Sequence, residues 1–351
     1  MKTRTLLWAA VVAASFVASG AGSGVGSGLS RTLLAQAQAG ALPTPGFHHL
    51  HLNSTNPEKA IDWYVRAFPV NSKVTWGGQP ALKAPNNVLI LFNKVDQPPA
   101  TQPQTAFWHF GWHVLHERET MARLRDLGVT LLPLYTGRDD LPTVNINSDT
   151  YPGTGGVLGL TRAQLEEAKK NNVKPAGGAG FAYIRGPDDA MIEVQGDMPA
   201  ERFNHVHFYH EDPFCAQLWY QQHLNVPPPQ GRRGAAPAEV RTEANCKVPR
   251  NPDKSFPALD LDGMYRSPQI PLVFGDVSMG GYMNNASQPL VSTRGHLADH
   301  IGLSVANLDA WVAKLRVENV KILEQPYKLG DTRAVMIEGP SKEALELVEI
   351  R

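Results

Sequence analysis

The stretch Phe47-His48-His49-Leu50-His51-Leu52 decides the reading of this chain, because it returns as Phe203-Asn204-His205-Val206-His207-Phe208. Fifteen residues after His49 stands Tyr64, preceded by Trp63, and fifteen after His205 stands Tyr220, preceded by Trp219. A strand pattern that passes into a helical one in the same register twice marks an internal repeat. Two further pairs extend it. Trp108-His109-Phe110-Gly111-Trp112-His113-Val114 matches Asp299-His300-Ile301-Gly302-Leu303-Ser304-Val305, and helical patterns follow over Glu119 to Leu127 and Leu308 to Val317. Gly186-Pro187 leads by seven positions to Glu193, as Gly339-Pro340 leads to Glu346. Four βαββ-type units result, in two halves joined near Gly196-Asp197-Met198-Pro199-Ala200.

Strand side chains alternate between faces, so each histidine segment sorts into two sets. His49, His51 and Asn53 oppose Leu50 and Leu52; His109, Gly111 and His113 oppose Phe110, Trp112 and Val114. His205, His207 and Tyr209 oppose Val206 and Phe208, and His300, Gly302 and Ser304 oppose Ile301, Leu303 and Val305. The apolar set suits packing beneath the following helix, which leaves the polar set on a concave face. Glu346 and Glu349 fall on opposite faces, so one of them must be exposed or paired.

Composition bounds the function. A chain of 351 residues with 42% hydrophobic content can bury two ordinary cores. Thirty-three basic residues balance thirty-three acidic ones, which excludes a field that gathers nucleic acid or an anionic membrane. Residues 1–39 read as a secretory signal: Lys2 and Arg4 precede an apolar run from Leu6 to Ala21, with small-x-small sites at Ala35-Gln36-Ala37 and Ala37-Gln38-Ala39. The expected location is periplasmic or secreted, with no stable membrane partner, and that compartment permits Cys215 and Cys246 to pair or to stay apart. Residues 40–197 and 198–351 are the expected domains. They carry an insertion at about 132–180, with a helix over Arg162 to Lys170, and a long loop at about 227–268.

These residues resemble the vicinal oxygen chelate superfamily, which includes glyoxalases, drug-resistance proteins, methylmalonyl-CoA epimerases and extradiol ring-cleaving dioxygenases. The resemblance implies an α+β fold of four βαβββ units paired into two half-barrel, glyoxalase-like domains. Carried over by position, it implies one metal site from His49, His109 and Glu193, and another from His205, His300 and Glu346. Fe(II) or Mn(II) is the favoured ion, with Zn(II), Ni(II) or Co(II) as alternatives. The strand Asn87-Val88-Leu89-Ile90-Leu91-Phe92 lacks the fourth ligand usual in glyoxalases. Two imidazoles and one carboxylate leave positions open for a bidentate oxygen substrate. Tyr183, ten residues before Glu193, stands where extradiol dioxygenases have an acid-base tyrosine, whereas the second half has Met336. His51, His113 and His207 share the ligand face, as orienting groups or proton carriers.

The expected function is therefore an exported metal-dependent enzyme acting on a small molecule. Ring-cleaving dioxygenase ranks first, and glyoxalase-like lyase or isomerase chemistry second. A non-catalytic binding protein of the resistance type is the rival outside enzymology. Homodimer assembly, and the choice between one active half and two, stay open.

Overall fold

The computed structural model describes residues 42–135, 146–147, 170–171, 181–196, 198–229, 241–247, 269–284 and 288–350. The expected signal lies outside them, as do the helix expected over 162–170 apart from Lys170, and most of the insertion and of the long loop. Four units follow one another. The first is β1 (Gly46–Ser54), α1 (Pro57–Ala67), β2 (Ser72–Trp76), β3 (Gln79–Lys83) and β4 (Leu89–Lys94). The second is β5 (Phe107–His113), α2 (Glu117–Asp126), β6 (Leu131–Tyr135), β7 (Ile146–Asn147), β8 (Phe181–Arg185) and β9 (Met191–Gln195). The third comprises β10 (Arg202–His210), α3 (Pro213–Leu224), β11 (Gln269–Ile270), β12 (Val273–Phe274) and β13 (Val277–Met283). The fourth comprises β14 (Ala298–Val305), α4 (Leu308–Val317), β15 (Ile322–Leu329), β16 (Thr332–Glu338) and β17 (Ala344–Glu349).

Local signals account for the helices. Asn56 accepts a hydrogen bond from the Lys59 amide at 3.1 Å, Pro57 occupies the first turn, and Ala60, Ile61, Tyr64 and Ala67 form the buried stripe. Asn307 caps α4 through the Ala310 amide at 3.0 Å, above buried Leu308, Trp311, Val312 and Leu315. Asn225 ends α3 in the left-handed region at φ 55°. Cys215, in α3, forms a disulfide with Cys246.

The strand order runs across the two expected stretches. The first sheet runs β15-β16-β17-β14-β1-β4-β3-β2, joining the fourth unit to the first; the second runs β11-β13-β10-β5-β9-β8-β6-β7, with β12 on β13, joining the third to the second. Each sheet thus takes one unit from residues 40–197 and one from 198–351. The seams are antiparallel, with His49 opposite Gly302 and His51 opposite His300 in one, and His205 opposite Gly111 and His207 opposite His109 in the other. Either histidine strand suits either glycine strand, so the repeat alone does not choose between the pairings.

The apolar faces also pack across units. Phe110 and Trp112 of β5 are fully buried. They lie against Tyr64 of α1 at ring separations of 6.4 and 5.7 Å, and Trp112 stacks on Phe68 at 4.5 Å. Aromatic area of this size dominates a core. Burying it turns the polar faces of β5 and β1 away from the helices.

Candidate metal centres

Each seam gathers two histidines and a glutamate. In the first sheet Gly302 stands between His49 of β1 and Glu346 of β17, forming one row across three strands. His49 Nε2 lies 3.3 Å from Glu346 Oε2, and His300 Nε2 lies 3.9 Å from the same oxygen. In the second sheet Gly111 stands between His205 of β10 and Glu193 of β9. Glu193 Oε2 is 3.1 Å from His109 Nε2 and 3.6 Å from His205 Nε2. The expected sets are therefore exchanged. His49 meets His300 and Glu346 rather than His109 and Glu193, and His205 meets His109 and Glu193 rather than His300 and Glu346, because the seams join units from different halves.

The glycines make the convergence possible. A Cβ on Gly302 would lie 2.0 Å from His49 Cε1 and Nδ1, and one on Gly111 would lie 2.3 Å from His205 Cε1. Each ring occupies the space that a side chain on the facing strand would fill.

The other expected residues sort by position. His51 Nδ1 is 3.1 Å from His300 Nε2, and His207 Nδ1 is 2.9 Å from His109 Nε2, so each stands within hydrogen-bond reach of its centre. His109, Glu193, His205 and His207 each offer a ligand atom within 4.8 Å of the others, as do His49, His51 and His300. His113 lies further off. Its Nε2 hydrogen-bonds Gln195 Oε1 at 3.0 Å, Gln195 accepts from Asn204 at 3.1 Å, and the Asn204 amide hydrogen-bonds His205 Nδ1 at 2.7 Å. Tyr183 is opposite Glu193 in register, and its ring is edge-on to His109 at 5.1 Å. Glu349 leaves the centre, accepting from the Leu308 amide at 3.2 Å and pairing with Arg333.

Sequence reasoning missed three supports. His300 Nδ1 donates to Asp299 Oδ1 at 2.7 Å, and Arg294 and the Gly295 amide hold that carboxylate, each at 2.8 Å. His48 shares a hydrogen bond of 2.8 Å with His49 Nδ1. The Tyr327 hydroxyl donates to Glu346 Oε1. A register shift between Glu324 and Tyr327 hides that tyrosine from simple alternation, whereas Asp299, adjacent to His300, was open to notice.

Burial sets the charge states. It pushes His109 and His51 down to about 3 and His48 to about 4, and His49 and His205 lie well below the ordinary histidine value. Burial raises the Glu346 carboxyl. His49 Nε2, His205 Nε2 and Glu346 Oε2 are buried without a hydrogen bond. Unpaired buried polar atoms are costly. Neutral imidazole nitrogens and a carboxylate oxygen aimed at one point are the donor set of a divalent transition metal, so these residues fit one.

No protein-family model matches the sequence, and no curated protein matches it. Among solved structures the chain is similar to glyoxalase I from Zea mays, at 14% identity and a TM-score of 0.55, over 87% of this chain and 92% of that one. It is also similar to a Bacillus subtilis subsp. subtilis str. 168 protein with a provisional dioxygenase assignment, at 8% identity and a TM-score of 0.52, over 88% and 86%. The chain shares its fold, paired glyoxalase-like βαβββ units, with these structures. Within that fold, each seam places its histidines and glutamate on one face of the sheet. The strands beside them add no ligand: Leu89 and Leu91 flank His49 and His51, and Ser278 and Gly280 flank His205 and His207.

Two outcomes follow for the protein without metal. G302A drives a methyl into the His49 ring and G111A one into His205, each costing about 1–3 kcal/mol in denaturant unfolding; unchanged midpoints would contradict the close contact. Below pH 6.5 the unfolded chain takes up protons that these histidines and His210, held at about 3, refuse, so stability rises with pH up to there. Glu346 and Glu343, the latter raised to about 7 by burial, act in the opposite sense but are outnumbered. The thermal midpoint should therefore fall between pH 7 and pH 5, each histidine contributing at most about 1.4 kcal/mol per pH unit; a flat or rising profile would contradict this.

Proposed function

We propose that the chain is an exported, metal-dependent enzyme that takes a small substrate through two vicinal oxygens, with ring-cleaving dioxygenase chemistry at the His109, His205 and Glu193 centre. The observation that carries the reading is the convergence of two imidazoles and one carboxylate, with buried atoms lacking hydrogen-bond partners, at each seam. His109, His205 and Glu193 would hold one ion, and His49, His300 and Glu346 the other. Such an ion supplies Lewis acidity and a template for adjacent substrate oxygens.

The surroundings favour the second-sheet centre for chemistry on a flat ring. Trp108 stacks on Tyr209 at 5.1 Å and meets Tyr282 edge-on at 5.2 Å, while Tyr282 lies 5.1 Å from the His207 ring. These part-buried faces line the approach to His109 and favour an aromatic substrate over a short aliphatic one. His207 is placed to take a proton from a substrate hydroxyl at a ring nitrogen, and the Tyr183 hydroxyl is the second acid-base group. Ser278 and Gly280, standing where glyoxalases usually present a fourth ligand, rank isomerase or lyase chemistry below this reading.

Anaerobic purification, elemental analysis and oxygen uptake with catechol-like compounds test it. Fe(II)-dependent uptake, reduced more than about 100-fold in H205A and E193Q, is the expected result. Bound metal without uptake or any product across a broad catechol panel overturns the dioxygenase assignment, and a protein that takes no metal but still binds aromatic compounds is a sequestering protein instead.

A further inference from the structure

The two centres match in their ligands but differ in what holds those ligands. In the first sheet each one has a polar support: His48 on His49, Asp299 on His300 and the Tyr327 hydroxyl on Glu346. The support on His300 is the most developed. Asp299 is 5% exposed and is itself held by Arg294 and the Gly295 amide, so the His300 ring is fixed in angle and its Nδ1 proton has an acceptor. In the second sheet the residue that matches Asp299 is Trp108. Its ring lies edge-on to His109 at 4.3 Å, and His109 Nδ1 is buried with no hydrogen-bond partner among the described residues. Asn204 still supports His205.

This difference bears on how firmly each centre keeps an ion. A metal-ligating imidazole whose other nitrogen donates to a carboxylate is held in one tautomer and orientation and is a better electron donor. Losing such a partner costs about 10- to 100-fold in metal affinity or activity. An imidazole with a buried, unpaired Nδ1 carries a desolvation cost in the tautomer that offers Nε2 to a metal.

We infer that the two centres are unequal: the His49, His300 and Glu346 centre is the tightly retaining one, with Asp299 as its positioning residue, and the aromatic-walled His109, His205 and Glu193 centre is the exchangeable one. The inference rests on the metal reading above and deepens it by dividing the work. The retained ion braces the β1–β14 seam. The exchangeable centre, with a less constrained imidazole beside the aromatic wall, is the one whose coordination adjusts when a substrate enters.

Equilibrium dialysis of the full-length, metal-stripped protein against cobalt(II), with elemental analysis of the bound metal, tests this directly. The wild type should bind two ions in classes whose dissociation constants differ by about tenfold or more. H300A should lose the tight class and keep the weak one, and H109A should do the reverse. D299N should weaken the tight class by about 10- to 100-fold while the weak class stays at its wild-type affinity. That unchanged class reports, within the same molecule, that the fold is intact. Two identical classes in the wild type overturn the inference. So do a D299N variant that keeps its tight class and one that loses both classes together, which would make Asp299 a structural residue. A wild type that binds no cobalt at all overturns the metal reading itself, so the two failures are distinguishable.

Discussion

A missing side chain at residues 111 and 302 lets a histidine ring from the neighbouring strand lie across each seam. With a Cβ there, the facing ring would have atoms at 2.0 to 2.3 Å, far inside van der Waals contact. The row His49, Gly302, Glu346 and the row His205, Gly111, Glu193 both depend on that space. It fixes which strands can be neighbours, because only a histidine strand facing a glycine strand brings imidazole and carboxylate together across the intervening residue. The buried atoms without partners then follow from the same geometry.

Seams built this way tie the two halves of the sequence together. Each sheet is shared between them, and bonds across the sheets return the favour within each half. Thr55 at the end of β1 hydrogen-bonds Asp188 in the turn before β9 through its amide and hydroxyl, at 3.1 and 3.0 Å. The matched brace joins His210 at the end of β10 to Ser341 in the turn before β17, at 2.7 Å. The Phe68–Trp112 stack links α1 to β5 in the same manner. Metal, if bound, would therefore be linked to the folding of both halves at once.

Much of this architecture was legible in the residues. The repeat gave the four units, strand alternation gave the concave histidines, and the Gly-Pro spacing located both glutamates. The α4 bounds expected from the pattern, Leu308 to Val317, agree with the structure. The pairing of units was not legible, because His49 and His205 are equivalent towards Gly111 and Gly302, and periodicity carries no term for which strand lies alongside. Tyr327 was hidden by an irregular register in β15, and the Cys215–Cys246 pairing by the absence of any spacing rule over so long a loop. The contrast between Asp299 and Trp108 was in the sequence, but its meaning required the hydrogen bond from His300.

The crosswise pairing is tested most directly by counting divalent ions in two double variants. H49A/H300A removes both imidazoles from one seam and should keep one ion, held by His109, His205 and Glu193. H49A/H109A removes one imidazole from each seam and should keep none. One ion in H49A/H109A together with none in H49A/H300A would contradict the account.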